Sequence, residues 1–335
     1  MSDMSPDDKS FRVAILDDYQ GVAREYGDWA ALAPRVEVTE FREHIGDADE
    51  LARRLAGFDA VVAMRERTAL PGDLLRRLPG LRLILTTGMA NASIDLAAAD
   101  ELGVTVCGTA GRTGSAGTVE LTWALILACA RRVPVQDASI RAGGWQATTP
   151  GSIGTTLSGK TLGIVGLGNI GAALVPVARA FGMRVTGWSR NLTAERAAQV
   201  GVTPLPREEF FATADFVTVH IKGGPRAHHY VNADDLRHMG PSSYLVNTSR
   251  GPVVDQDALA RAVREGAIAG AALDVYDEEP LPKDHPLRDL PGIVLTPHIG
   301  YVTQETYREY FPQLVEGVTA FLAGDPVRVL GGVGR

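Results

Sequence analysis

The sequence predicts an α/β protein of two units, each a mostly parallel sheet with helices on both faces. Three observations point there. Short β-branched runs alternate with amphipathic segments in two separate series, the pattern of strands joined by crossover helices. The length of 335 residues accommodates roughly two domains at about 150 residues each. The second series also opens on a glycine-rich turn between an apolar strand and a helix, and open parallel sheets take ligands at such turns.

In the first series, FRVAILDD (11–18), VEVTEF (36–41), FDAVVAM (58–64), LRLILTTG (81–88) and VTVCG (104–108) read as strands. REYGDWAALA (24–33), ADELARRLAG (48–57) and LPGDLLRRLPG (70–80) carry helix spacing, with Pro71 suited to a first turn. GTVELTWALILACARRV (117–133) is a helix apolar nearly all round, which suits burial against another domain or another subunit. RAGGWQATTPGSIGTTLSGK (141–160) has the composition of a linker and domain boundary.

The second series comprises TLGIVGLG (161–168), RVTGW (184–188), FVTVHI (216–221), SYLVNTS (243–249), GAALDVY (270–276) and IVLTPHI (293–299). Helical segments lie between them, among them DQDALARAVREG (255–266) with Asp255 as its cap. The chain closes with QETYREYFPQLVEGVTAFLAG (304–324), a helix expected to kink or break near Pro312 and to pack back on the first unit.

Composition narrows the function classes. With 45% hydrophobic and 22% charged residues, the chain is globular in make-up rather than disordered. Its net charge of −7 argues against a nucleic-acid partner, whose phosphates need clustered Lys and Arg. No run reaches the ~18 apolar residues of a membrane helix. The N-terminal MSDMSPDDKS lacks the build of a signal peptide and reads as a frayed tail. A cytoplasmic protein is therefore expected. Cys107 and Cys129 sit in apolar surroundings and read as buried free thiols of a reducing compartment. Glycine is in excess, at 37 of 335 residues against a usual ~7%.

Part of that excess has a chemical reading. Gly166, Gly168 and Gly171 form G-x-G-x-x-G in GLGNIG, with Asn169 and Ile170 between them at the start of a helix. The first glycine permits the tight turn, the second lets the backbone meet a pyrophosphate, and the third lets the helix pack closely. The positive end of the helix dipole adds to the attraction. A dinucleotide site usually places an acid about 20 residues on, to bind the ribose hydroxyls. Here Ser189 and Arg190 occupy that place. A hydroxyl and an arginine can bind a 2′-phosphate that an acid would repel, so NADP(H) is preferred to NAD(H). Arg190 stacked on the adenine would serve either cofactor.

Three later segments each set a polar residue beyond an apolar strand: Arg250 in LVNTSRG, Glu279 in ALDVYDEEP and His298 in LTPHIG. Ligands in an open parallel sheet bind beyond the carboxyl ends of strands, so the three can converge. Hydride addition to a ketone leaves negative charge on oxygen and needs a proton donor and an electrostatic clamp. His298 can donate the proton, Glu279 can stabilise the imidazolium, and Arg250 can hold a substrate carboxylate with its fork of donors. His220, ending FVTVH, points to the same crevice by position. His44, His228, His229, His238 and His285 lie in polar loops or on helices. Neither they nor the cysteines show metal-ligand spacing, so no metal is expected.

In order along the chain, GKTLGIVGLGNIG, LVNTSRGPVVDQDAL, AALDVYDEEPLP and TPHIG resemble the signature segments of the D-isomer-specific 2-hydroxyacid dehydrogenases, in the short form without a C-terminal regulatory domain. The resemblance implies a Rossmann NAD(P)-binding domain (111–299) inserted in a flavodoxin-like catalytic domain (1–110 and 300–335). It implies an Arg–Glu–His catalytic set at Arg250, Glu279 and His298, and a small 2-oxo or 2-hydroxy acid as substrate. The cofactor set is then Gly166, Gly168, Asn169, Ile170, Gly171, Ser189, Arg190, His220, Thr248 and Asp274, the last facing the nicotinamide amide. A homodimer through the 117–133 helix region is also implied. Formate dehydrogenases of similar fold carry Gln at the position of Glu279, so the acid favours 2-oxo acid chemistry.

By position, TTGMANASID (86–95) resembles the family loop whose amides bind the substrate carboxylate, implicating Gly88, Met89 and Ala90. Glycine-rich turns can present converging N–H groups to an anion. Met89 and Asn91 depart from the usual AGVGVDN wording. MRERT (64–68) aligns with a VRSxT-like segment, so Arg65 reads either as a contact to the substrate's distal end or as a surface charge. Glu66 replaces a small polar residue seen in many phosphoglycerate dehydrogenases. The expected activity is a D-2-hydroxyacid dehydrogenase working as a 2-oxo acid reductase. The alternatives are a D-3-phosphoglycerate dehydrogenase and, from another class, a non-catalytic NAD(P)H-sensing binding protein like the C-terminal-binding-protein corepressors.

Overall fold

The computed structural model describes residues 10–111, 113–148 and 151–331. Nearly all of the expected N-terminal tail lies outside them. The chain divides into two compact units, one of Met1–Thr113 with Thr303–Arg335 and one of Gly114–Val302, so the second is an insertion in the chain of the first.

The first unit begins with β1 (Phe11–Ile15), α1 (Ala23–Tyr26), β2 (Val36–Glu40), α2 (Ala48–Leu55), β3 (Ala60–Ala63), α3 (Gly72–Arg76), β4 (Leu83–Thr86), α4 (Leu96–Glu101) and β5 (Thr105–Gly108). The inserted unit holds α5 (Thr113–Arg131), α6 (Val133–Arg141), β6 (Thr161–Val165), α7 (Asn169–Ala180), β7 (Arg184–Trp188), α8 (Ala194–Val200), β8 (Thr203–Pro204), α9 (Arg207–Thr213) and β9 (Phe216–Val219). It continues with α10 (Ala233–His238), β10 (Tyr244–Asn247), α11 (Gln256–Arg264), β11 (Gly270–Leu273) and β12 (Ile293–Leu295). Helix α12 (Gln304–Leu322) and β13 (Val329–Gly331) return to the first unit.

In the first unit the strands run β13-β5-β4-β3-β1-β2, parallel except that β13 pairs antiparallel with β5. This is the flavodoxin-like order, with its switch point between β1 and β3. Strands β3 (AVVA) and β4 (LILT) are buried at every residue because helices cover both faces. On one face Leu51 and Leu55 of α2 and Leu74 and Leu75 of α3 join Ala14, Val61 and Ile84 in one core. Helix α12 buries Phe311, Leu314 and Val318. It packs tightly at Gly317, where a Cβ would lie 2.7 Å from the side chain of Leu85 in β4.

The inserted sheet runs β12-β11-β10-β9-β6-β7-β8, every ladder parallel. Its order reverses between β6 and β9, as in a Rossmann unit. One core gathers Trp123 and Ile126 of α5 with Ile164, Leu174 and Val175. The other gathers Phe210, Phe211, Leu236 and Leu259 with Val219. Asp255 caps α11 by accepting the amide of Ala258 at 2.9 Å, leaving Ala258, Leu259, Ala262 and Val263 to face inward.

Four local expectations are corrected. REYGDWAALA is not one helix: α1 stops at Gly27 and a 3-10 turn, Trp29–Leu32, follows. The indole of Trp29 folds back to donate to the carbonyl of Ala23 at 3.1 Å, across Gly27. Pro71 is the N-cap of α3 rather than a residue of its first turn. Pro312 does not break α12, because it and Arg308, whose carbonyl loses its partner, both face solvent. Finally, the stretch 141–160 is no boundary between units. Arg132, in left-handed backbone at φ 54, ends α5, and α6 follows. The loop beyond returns to α5, with the amide of Thr155 on the carbonyl of Ala130 at 2.7 Å. The short edge strands β8 and β13 lay below what alternation can reveal.

Candidate active site

In the inserted unit, β6 ends at Val165 and Gly166 turns the chain at φ +92, where a Cβ would lie 2.7 Å from the carbonyl oxygen of His220. Gly171 seats the helix on this turn, since a Cβ there would collide with the carbonyl oxygen of Gly166. Gly168 has no such constraint. A Cβ built on it meets nothing within 4 Å, so packing gives no reason for glycine there. Gly168 is the N-cap of α7 and no side chain caps the helix. The amides at Asn169, Ile170 and Gly171 thus begin a helix whose entrance has open space before it. That donor set fits the pyrophosphate of a dinucleotide.

Ser189 and Arg190 follow β7. The amide of Arg190 donates to Tyr230 Oη at 2.6 Å, its Nη1 donates to the carbonyl of Arg226 at 3.0 Å, and its guanidinium lies 4.3 Å from the Tyr230 ring centre. The residue remains exposed, a cation held at the strand end where a ribose-binding acid usually stands. His220 follows β9 with Nε2 2.7 Å from Thr218 Oγ1, while Nδ1 is buried without a hydrogen-bond partner. Burial pushes its pKa down to about 3, so near neutral pH the ring is uncharged and is no proton donor of the imidazolium kind.

Arg250 leaves the end of β10 on a built turn. The fully buried Asn247 donates from Nδ2 to the carbonyl of Arg250 at 3.0 Å, and its Oδ1 accepts the amide and hydroxyl of Ser249, each at 3.0 Å. Gly251 lets this turn lie against the next strand's loop, because a Cβ there would collide with the carbonyl of Tyr276. Arg250 is part-buried, and its Nη1 donates to the carbonyl of Ser249 at 2.7 Å.

Glu279 and His298, from the loops after β11 and β12, meet directly. Glu279 Oε2 lies 2.6 Å from His298 Nδ1, and its Oε1 accepts the amide of Tyr276 at 2.8 Å. Both side chains are mostly enclosed, at 24% and 13% exposure, so water screens the pair little. His298 sits at φ +53, an uncommon conformation for a side-chain-bearing residue. Asp274 holds it there. One carboxylate oxygen accepts the Thr296 hydroxyl at 2.6 Å and the Ile299 amide at 2.9 Å, and the other accepts the Gly300 amide at 2.9 Å. Asp274 thus fastens the chain on both sides of His298. Burial pushes its pKa up, against the pull of the Thr296 and Ile299 hydrogen bonds and the charge of His298.

Helix α5 ties these loops together. Thr118 Oγ1 donates to the carbonyl of Gly300 at 3.2 Å, Thr122 Oγ1 donates to the carbonyl of Thr118 at 2.7 Å, and the hydroxyls of Thr122 and Thr248 lie 2.9 Å apart. Sequence reasoning missed Asn247, Thr296, Thr118 and Thr122. Asn247 alone carried a readable signal, an Asx-turn residue at a strand end.

In the first unit, Arg65 and the 88–90 turn come together. Arg65 follows β3 in left-handed backbone at φ +56. Its amide donates to Thr87 Oγ1 at 2.9 Å, and its carbonyl accepts Asn91 Nδ2 at 2.5 Å. Its guanidinium crosses Gly88, where a Cβ would collide with Nη1. The expected carboxylate-binding amides are narrowed by one: Gly88 N–H already donates to Thr109 Oγ1 at 2.8 Å. Among the described residues no acceptor meets the amides of Met89 and Ala90, and both residues are exposed.

Both cysteines are free and buried, with burial pushing Cys107 up to about 11 and Cys129 up to about 12. Among the described residues no helix is long and apolar enough to cross a membrane.

The chain is similar to known proteins over most of its length. A family model described as D-isomer specific 2-hydroxyacid dehydrogenase, NAD binding domain, matches residues 123–300. A glyoxylate reductase of Aeropyrum pernix is 38% identical over 257 residues, 75% of this chain and 76% of that protein. A D-3-phosphoglycerate dehydrogenase of Methanocaldococcus jannaschii is 35% identical over 278 residues, 83% of this chain; the chain spans about half of that protein, at 52%. Among solved structures, a phosphoglycerate oxidoreductase from Vibrio cholerae superposes with a TM-score of 0.88 at 37% identity, over 94% of this chain and 99% of that one.

Proposed function

Given that the chain belongs to the D-isomer-specific 2-hydroxyacid dehydrogenase family, oxidoreductases built on a nicotinamide-dinucleotide-binding domain, we propose that it reduces a small 2-oxo acid at C2, with His298 as acid/base. The observation that carries this reading is the 2.6 Å contact of Glu279 with His298 Nδ1. It fixes the ring and leaves Nε2 as the atom that can give a proton to a ketone oxygen. The bound dinucleotide supplies the hydride. Gly168 and the α7 amides would hold its pyrophosphate, Thr248 and His220 would line its site, and Asp274 orders the chain around His298. Arg250, aimed by Asn247, holds the substrate carboxylate and polarises the carbonyl. Within the first unit, the open amides of Met89 and Ala90, with Arg65, are donors suited to a small carboxylic acid.

The exposed Arg190 beside Ser189, stacked on Tyr230, favours NADP(H) over NAD(H). A histidine held by a carboxylate, with Asp274 fixing the chain on both sides of it, favours a catalyst over a non-catalytic dinucleotide sensor. Exposed apolar side chains on and after α6, Val133, Ile140, Trp145 and Ile153, favour a second copy of the chain as the surface that covers them. The deciding experiment is a reductase screen over short 2-oxo acids with NADPH and NADH. Turnover with NADPH preferred is expected, and tight dinucleotide binding without turnover on any acid would overturn the enzyme reading.

A further inference from the structure

We propose that Glu66 sets the charge of the substrate: by pairing with Arg65 it makes this corner of the first unit accept a 2-oxo acid with a short uncharged tail and refuse one that ends in a phosphate. This rests on the reading that Arg65 and the Met89–Ala90 turn receive the acid. The direction of Arg65 is fixed at its backbone, which Thr87 and Asn91 clamp at φ +56. Such a strained, over-determined position is the mark of a side chain placed for a task.

The guanidinium placed there is already answered. Its Nη1 donates to the carbonyl of Thr87 at 3.2 Å, and its Nε lies 3.7 Å from Glu66 Oε2. The two side chains keep only 24% and 16% of their surface exposed, so the pair is not screened as a surface pair would be. A cation built for a phosphate monoester keeps its fork of donors directed at the ligand, with no protein carboxylate beside it. Here the pair is neutral as a whole. A phosphate with about −1.5 to −2 charges would meet an enclosed carboxylate at close range and be repelled. A hydrogen or a hydroxymethyl group meets no such opposition, and the thioether of Met89, at 47% exposure, offers apolar contact on the same turn.

The test compares kcat/KM for hydroxypyruvate and 3-phosphohydroxypyruvate, which differ only by the phosphate, in the wild type, Glu66→Gln and Glu66→Ser. The wild type is expected to favour the unphosphorylated acid. In the variants the ratio should move toward the phosphorylated acid by about tenfold or more, equivalent to ~1.4 kcal/mol. An unchanged ratio, or a wild type that reduces both acids equally well, overturns the inference. A second reading needs no variant: inorganic phosphate should compete poorly with hydroxypyruvate, and competition in the low millimolar range overturns the inference. Absence of turnover on both acids with both cofactors, by contrast, overturns the reductase reading on which this one stands.

Discussion

Glu279 Oε2 lies 2.6 Å from His298 Nδ1, and the backbone amide of Tyr276 holds the other carboxylate oxygen at 2.8 Å. The carboxylate therefore cannot turn away from the imidazole without giving up a second bond. Replacing His298 should remove the proton donor and leave dinucleotide binding intact. His298→Asn is the suitable variant, because asparagine tolerates the φ of +53 at this position. Turnover should fall by about 10²–10⁴-fold, measured by steady-state reduction alongside cofactor titration. Glu279→Gln should fall less, and near-normal turnover in His298→Asn would remove the histidine from the mechanism.

Asn247 shapes the turn that carries Arg250. Asn247→Ala deletes all three side-chain bonds that shape the turn, so KM for the 2-oxo acid should rise about tenfold or more. KM for the dinucleotide should change little. A loss confined to thermal stability, with both KM values kept, would show the asparagine to be structural only.

The glycine loop separates into two kinds of glycine. Gly171→Ala should lower the melting temperature, since its Cβ would collide with the backbone of Gly166, at a cost of about 1–3 kcal/mol. Gly168→Ala has room for its methyl and should melt like the wild type, while the rise in melting temperature on adding NADPH or NADH shrinks. An unchanged ligand-induced shift would move the pyrophosphate elsewhere.

His220 should make the fold acid-sensitive. Its pKa is about 3 in the fold against 6.5 for an ordinary histidine, so the unfolded chain binds more protons between those values. Its contribution is complete above pH ~6.5 and is lost as pH falls toward 3, at no more than ~1.4 kcal/mol per pH unit. His220→Gln should flatten the melting temperature against pH below 6.5; an unaltered slope would place the sensitivity in other groups.

Much of this was legible in the chain itself. Short β-branched apolar runs mark strands because each residue of a buried parallel strand meets a helix on one face or the other, and the glycine spacing marks the tight strand-to-helix turn at Gly166 and Gly171. The placement of Arg250, Glu279 and His298 in loops after apolar strands was readable too, since each follows a strand of the inserted sheet. Which amides remain open was not. Gly88, which reads as an anion donor, satisfies Thr109 instead, a partner 21 positions away.

The sequence by itself determined the alternation of elements, the glycine turn and the residue types able to handle a hydride, since these depend on local pattern and on chemistry fixed by side-chain identity. The tertiary structure alone decided which groups are already satisfied. It tied Asp274 to both sides of His298, Asn247 to the turn of Arg250, and Glu66 to the charge of Arg65. The physical reason is that hydrogen bonding and charge compensation are settled between neighbours in space. Which groups meet at a strand end depends on the order of strands in the sheet, and no spacing along the chain states that order.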